Sequence, residues 1–301
     1  MIRQICWYLT RRCNLKCEYC NVWKEKRKEL NTKESLRLLD KVKEINPELL
    51  VFFGGEPTLR KDFSKLVEKA NDLDINYAII TNGTQPIDLS ICKNITCSID
   101  IDNLKNLKSK DINLKSHKGY ELLLKAKIAG VPDICGNIII HKQSYQYVPD
   151  LIKHLSALKI WSIVGYVHSG TKAWDFRSNC TGLLMNKDEI KWISNELLEL
   201  KRNPNILLHN VEEFFTYLPK YYDYSWNCSK MEYLTVDSDG TIMACPDRRG
   251  ERCPTHNIFN LNLKKLETDW KEDVKDCPGC FYNHQIQLAY SKPEQKVLLH
   301  E

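Results

Sequence analysis

The sequence predicts an α/β fold: a partial (β/α)6 TIM-like barrel followed by a small C-terminal domain made of a β-hairpin and helices. Three observations predict it. Short β-rich runs alternate with amphipathic helical stretches through the first half of the chain. Near residue 170 that alternation stops, at the loop-like stretch HSGTKAWDFRSNCTG. Beyond it, two β-rich arms flank an Asp-Ser-Asp-Gly turn within YLTVDSDGTIMAC, residues 233–245.

The strand-like runs are QICWYL (4–9), LLVFF (49–53), YAII (77–80), TCSI (96–99), NIII (137–140) and WSIVGYV (161–167). In the first helical stretch Leu38, Val42 and Ile45 share a face, and Asn31 with Glu34 forms a capping pair at its start. The next carries Phe63, Leu66, Val67, Ala70 and Leu73 on one side, with Asp62 placed to cap it. Further helices fit 118–129, with Gly130 at the stop, and 147–158. Six βα units are too few to close an eight-stranded barrel and enough for an open one. Ile190, Ile193, Leu197 and Leu200 mark another helix, and in the hairpin after it Gly240 is free to take positive φ. The division is into residues 1–185 and residues 186–301.

At 301 residues, with 43% hydrophobic and 28% charged side chains, the chain has the balance of a globular protein with a sizeable core. No apolar run approaches the roughly 18 residues that span a bilayer. The N-terminal MIRQICWYLTRRCN does not have the form of a secretory signal, so the expected compartment is the cytoplasm, without membrane partners. A formal charge of +5 is mildly basic, and the densest run, KEKRKE at 24–29, mixes signs as a solvated surface does. Nucleic acid is not supported as a partner.

Thirteen cysteines, an odd number, exclude complete intramolecular pairing. Cys6, Cys92, Cys97, Cys135 and Cys180 stand alone and are expected as small core residues. Cys13, Cys17 and Cys20 are different: they crowd into RRCNLKCEYC (11–20), directly after the first strand. Four thiolates close a zinc site or a cubane, whereas three leave one coordination position open. A zinc site would need a fourth ligand nearby, and no histidine occurs before His117. A 4Fe-4S cluster with one open iron fits the count best.

Cys-x3-Cys-x2-Cys with an aromatic, Tyr19, before the last cysteine resembles the signature of radical S-adenosylmethionine (AdoMet) enzymes. The resemblance implies that AdoMet chelates the open iron, that the reduced cluster cleaves the sulfonium, and that a 5′-deoxyadenosyl radical abstracts a substrate hydrogen. FFGGEPTL (52–59) is similar to the family's Gly-Gly-Glu-Pro element, which points to Gly54, Gly55, Glu56 and Pro57, with Glu56 as an acceptor for the AdoMet ammonium. TNGT (81–84) and CSID (97–100) fall where the family makes polar AdoMet contacts, which implicates Asn82, Ser98 and Asp100. Asn137 and GYVH (165–168), including Tyr166, correspond more loosely to its adenine-contacting strands.

Cys228, Cys245, Cys277 and Cys280 flank the hairpin and, as ligands alone, describe a four-thiolate site for zinc or a fully ligated Fe-S cluster. CSKMEYLTVDSDGTIMAC resembles the SPASM and Twitch auxiliary-cluster extensions of radical AdoMet enzymes. The shorter Twitch form, with one auxiliary 4Fe-4S cluster, is the better match, since only Cys253 is left over. Cys253 is read as inert, with a hydrogen-atom donor to a substrate radical as the other reading.

The resemblance therefore implies an enzyme with two 4Fe-4S clusters and AdoMet, reduced by an external donor such as flavodoxin or ferredoxin. The expected reaction is hydrogen abstraction from an unactivated C–H, oxidising, epimerising or cross-linking a peptide or protein residue. A dehydrogenase or epimerase of a small polar metabolite (sugar, aminocyclitol, nucleotide) is the alternative. A zinc-stabilised interaction protein is the non-enzymatic one. No catalytic acid–base side chain stands out; His117, His141, His168 and Asp100 lie near expected strand ends, where a lone histidine is usually structural.

Overall fold

The computed structural model describes residues 2–99, 117–167, 181–217, 219, 231–243 and 256–275. Six parallel strands lie side by side in chain order: β1 (Gln4–Thr10), β2 (Leu49–Gly54), β3 (Tyr77–Thr81), β4 (Asn94–Ile99), β5 (Asp133–Ile140) and β6 (Trp161–Tyr166). All six expected strands are present, with bounds shifted by at most a few residues.

The connecting helices are α1 (Thr32–Ile45), α2 (Phe63–Asp72), α3 (Lys118–Ile128) and α4 (Val148–Ala157), followed by α5 (Lys187–Arg202) and α6 (Glu212–Tyr217). Asn31 caps α1 in a full capping box with Glu34, contributing about 1 kcal/mol. Leu38, Leu39 and Val42 of α1 are wholly buried, each stabilising by roughly 2 kcal/mol. Asp62 does not cap α2; its carboxylate is taken by Arg60 two residues earlier, at 2.7 and 2.8 Å. A guanidinium is the stronger donor, and Asp62 follows it rather than the helix N–H groups.

Strand alternation sorts the sheet into two faces. Ile5, Trp7, Leu9, Leu50, Phe52, Ile79, Ile95, Ile99, Ile138 and Val164 join the core that the helices cover. Cys6, Val51 and Tyr233 pack together on the opposite, lumen face, with Phe53 and Ile80 beside them.

Among the described residues the β6 edge is covered by an irregular stretch of chain. Ser162 bridges to Leu208, and the Asn210 side-chain amide accepts from Val164 N at 2.8 Å and donates to Val164 O at 2.9 Å. At the other edge the hairpin β7 (Tyr233–Val236) and β8 (Thr241–Met243) joins the barrel sheet, β7 running parallel to β1 with Gln4 opposite Tyr233. Gly240 turns the hairpin at φ 84, as expected. Among the described residues β9 (His256–Asn257) completes a nine-stranded sheet of order β6-β5-β4-β3-β2-β1-β7-β8-β9, and α7 (Leu263–Lys275) follows it. Among the described residues no helix is long and apolar enough to cross a membrane.

Candidate functional site

Three carboxyl-terminal strand ends converge on the segment after β1. The end of β2 approaches the backbone of Thr10 and Arg12 so closely that Gly55 N donates to Thr10 O and Glu56 N to Arg12 O, both at 2.8 Å. A Cβ on Gly54, which sits at φ 144, would lie 2.2 Å from Thr10 O, and one on Gly55 would lie 2.1 Å from Arg12 O. The close approach these glycines permit is thus to the chain's own backbone, which fixes the start of the cysteine loop.

Cys13, Cys17 and Cys20 are all half-buried in that loop. Cys20 N donates to Cys17 O at 3.1 Å, giving a tight turn between the last two. The Cys13 sulfur accepts from Leu15 N at 3.4 Å and from Asn82 Nδ2 at 3.9 Å. Burial pushes the Cys13 thiol up, with Glu56 and Cys20 adding to the rise; the Leu15 N–H and the Asn82 amide pull the other way and are outweighed. Tyr19 reaches across the barrel mouth and packs on Val167 and Leu183, beside Ile139. The isolated Cys6 and Cys92 are inert core thiols pushed to about 12 by burial, and Cys97 and Cys135 are raised well above their ordinary value by the same cause.

Glu56 is completely buried. Its Oε1 accepts from Thr58 N (3.1 Å), Thr58 Oγ1 (2.6 Å) and Thr81 Oγ1 (2.7 Å), and its Oε2 accepts from Asn82 N (2.7 Å). The carboxylate ties the β2 loop to the end of β3, next to the buried Pro57. Asn82 faces the cysteine loop: besides Cys13, its Nδ2 donates to Asn14 Oδ1 at 3.0 Å, while its Oδ1 accepts from Thr84. Asn14 Nδ2 in turn donates to Thr84 Oγ1 at 2.7 Å.

Ser98 and Asn137 are opposite each other on β4 and β5, half-buried, with Asn137 Nδ2 donating to Ser98 Oγ at 3.5 Å. Tyr166 lies on the other face of its strand. Its ring is buried against Phe214 of α6, with centroids 5.8 Å apart, on the helix-covered face. Strand alternation puts Gly165, not Tyr166, on the face that carries Asn137, so a ring contact in the lumen is not available. His117 caps α3 by accepting from Tyr120 N, and His141 Nδ1 accepts from Gln143 N; both serve local turns. Asp100, His168, Cys180, Cys228, Cys245, Cys253, Cys277 and Cys280 lie outside the described residues.

Sequence reasoning named no role for Arg11, Thr81, Asn14 or Asp237, all polar groups that hold the loop. Arg11, Asn14 and Thr81 carried a local signal, lying within the RRCNLKCEYC and TNGT stretches, and Asp237 carried none. Among the described residues, no three His, Cys, Asp or Glu side chains form a single-ion site. Three soft thiols in one half-buried loop, with N–H donors already directed at one sulfur, fit a thiolate-bound Fe-S cluster, whose sulfurs take such hydrogen bonds.

Residues 7–155 match the profile of the radical SAM superfamily. This segment is similar to a radical SAM domain. Over 173 residues the chain is 30% identical to Fe-coproporphyrin III synthase of Methanosarcina barkeri, covering 54% of this chain and 43% of that protein. Over 164 residues it is 30% identical to PqqA peptide cyclase of Granulibacter bethesdensis, covering 50% of this chain and 43% of the relative. The matched radical SAM region thus spans less than half the length of either curated relative. Streptococcus suis SuiB, solved bound to S-adenosylmethionine, superposes with a TM-score of 0.66 at 19% identity over 92% of this chain and 66% of that one. SuiB has also been solved bound to precursor peptide SuiA. At that identity the likeness speaks for the fold, which is the parallel α/β sheet expected of a partial barrel.

Proposed function

We propose that the chain is a radical AdoMet enzyme that abstracts a hydrogen atom from an unactivated C–H of a peptide or protein residue. The observation that carries the reading is the three-thiol loop laid across the barrel mouth, within the segment similar to a radical SAM domain. Cys13, Cys17 and Cys20 would hold a 4Fe-4S cluster. That group, with AdoMet bound, supplies reductive cleavage of the sulfonium and the hydrogen-abstracting radical.

The protein's own residues bind and orient. Glu56, Thr81 and Asn82 fix the β3 end beside Cys13, so the polar groups and the sulfur keep one relative position. Ser98 and Asn137 offer half-buried polar contacts on neighbouring strands for the nucleoside part of AdoMet. Tyr19, packed on Val167 and Leu183, covers the loop and limits water at the mouth. In this proposal Cys228, Cys245, Cys277 and Cys280 ligate a Twitch-type auxiliary 4Fe-4S cluster that passes electrons, Cys253 is inert, and Asp100 adds an AdoMet contact. The division at 185/186 separates the two cluster-bearing parts, and a cytoplasmic flavodoxin or ferredoxin supplies the electron.

The peptide reading draws support from PqqA peptide cyclase and from SuiB with its precursor peptide. A small-molecule substrate is the second reading, favoured by the equal likeness to Fe-coproporphyrin III synthase, whose named product is a porphyrin. Anaerobic reconstitution should give about eight irons per chain, two cubanes' worth. Co-expression with each short peptide that proves to be encoded beside this gene should then yield a peptide whose mass changes only when the enzyme is intact. Unmodified peptides together with AdoMet-dependent turnover of a small metabolite would overturn the peptide assignment. A colourless zinc protein that leaves AdoMet intact would overturn the enzyme reading.

A further inference from the structure

The three-thiol loop is gripped from a part of the chain more than two hundred positions away. Asp237, at the hairpin turn, is wholly buried, and Arg11, two residues before Cys13, is 2% exposed. Arg11 Nε donates to Asp237 Oδ1 at 2.8 Å and Nη2 to Oδ2 at 2.5 Å, a bidentate pair. Arg11 Nη1 lies 2.5 Å from Glu25 Oε2 as an ionic contact, and its Cζ sits 4.9 Å from the centroid of the Tyr8 ring. The same turn holds the exit of the loop. Ser238 Oγ donates to Lys28 O at 3.0 Å, Leu30 N donates to Ser238 O at 2.7 Å, and Arg27 approaches Asp237 at 3.4 Å and Asp239 at 3.8 Å. Ser238 N donates to Asp237 Oδ1 at 2.7 Å, so the carboxylate is itself fixed by the turn.

We propose that Asp237, acting through Arg11, is a positioning residue for the three-thiol loop: one turn clasps entry and exit, and so sets where Cys13, Cys17 and Cys20 stand. This rests on the cluster reading above. A buried ion pair is a poor source of net stability, since desolvation offsets most of its attraction and an apolar pair of similar volume does as well or better. What the bidentate fork adds is direction, because two parallel N–H···O bonds fix the angle as well as the distance. Its placement next to the first thiol makes that direction useful. The role is new work for the hairpin, which the sequence connects only with Cys228 and Cys245.

The test uses the full chain and the double variant Arg11→Met/Asp237→Leu, which keeps apolar volume and removes the fork. Metal-free, it should keep its far-UV spectrum with a lowered melting temperature, because Ser238 N, Glu25 and Arg27 also lose partners. Amide exchange should rise about tenfold or more across residues 12–24 and less elsewhere in the barrel. After reconstitution its loop cluster should show a broadened electron paramagnetic resonance signal on AdoMet addition. Asp237→Asn, which retains one acceptor for Arg11 Nε and Ser238 N, should fall between and covers the case in which the double variant does not fold. Unchanged exchange in 12–24, with an unaltered signal, in whichever variant folds would overturn the positioning role. Failure of the cluster reading itself looks different: wild-type protein would then take up no iron at its three-thiol loop.

Discussion

Replacing Glu56 with Gln tests whether the Gly-Gly-Glu-Pro element holds the site together from within. The carboxylate is fully buried and takes three donors on Oε1 and one on Oε2. A glutamine oxygen can replace Oε1 and keep Thr58 N, Thr58 Oγ1 and Thr81 Oγ1. Its NH2 then faces Asn82 N–H, donor against donor, where 2.7 Å separated a carboxylate oxygen from that nitrogen. One buried N–H left unsatisfied costs about 1–3 kcal/mol, and the three surviving bonds lose charge assistance. The expected loss is about 2–3 kcal/mol for Glu56→Gln and roughly 3–5 kcal/mol for Glu56→Ala, which orphans all four donors. Urea unfolding of the metal-free chain measures this as a lower midpoint at unchanged slope. Exchange at Asn82–Thr84 should rise with it, since Asn82 is the group that loses its partner. A Glu56→Gln protein within about 0.5 kcal/mol of wild type would refute the reasoning, because surface substitutions alone reach that size.

Three further outcomes follow from the geometry. Gly55→Ala places a Cβ against Arg12 O, a backbone atom, and should cost about 3 kcal/mol in urea unfolding and lower iron uptake. Asn210→Ala removes the amide that pairs Val164 N and O, and should destabilise by about 2 kcal/mol, read by the same titration and by faster exchange at Val164. The His209 ring stacks on Trp161 at 4.4 Å, and burial first, then Lys201, brings its pKa down from 6.5 to about 4. The unfolded chain therefore takes the proton first, so stability is full above pH 6.5 and is lost as pH falls towards 4, by about 3 kcal/mol in all. His209→Phe, which keeps the ring and removes the titration, should abolish that slope in urea midpoints compared at pH 7.5 and 5.

The strands and the cysteine loop were legible in the sequence because their signals are local. Period-two and helical patterns fixed β1–β6 and α1–α5 to within a few residues, and the gaps of three and two between Cys13, Cys17 and Cys20 need no tertiary context. Contacts across the chain were not legible. Nothing in LTVDSDG says that β7 pairs with β1 or that Asp237 meets Arg11, since both depend on sheet topology. Gly54 and Gly55 signalled a close approach but not to what, and the partner is the chain's own backbone at Thr10 and Arg12. Which way Tyr166 faces was not legible, because VGYV is apolar on both faces and its register cannot be read without the sheet. Asp62 has a helix start after it and Arg60 before it, and only the packed structure decides between them.

The central claim is that three thiols from one loop hold a cluster that activates AdoMet. Wild-type protein and a Cys13→Ala/Cys17→Ala/Cys20→Ala variant, both reconstituted anaerobically, should be incubated with dithionite and AdoMet and assayed for 5′-deoxyadenosine by chromatography. The account predicts formation by wild type, none by the variant, and about half the iron in the variant, one cubane's worth lost. Deoxyadenosine formation that survives loss of all three thiols would contradict it.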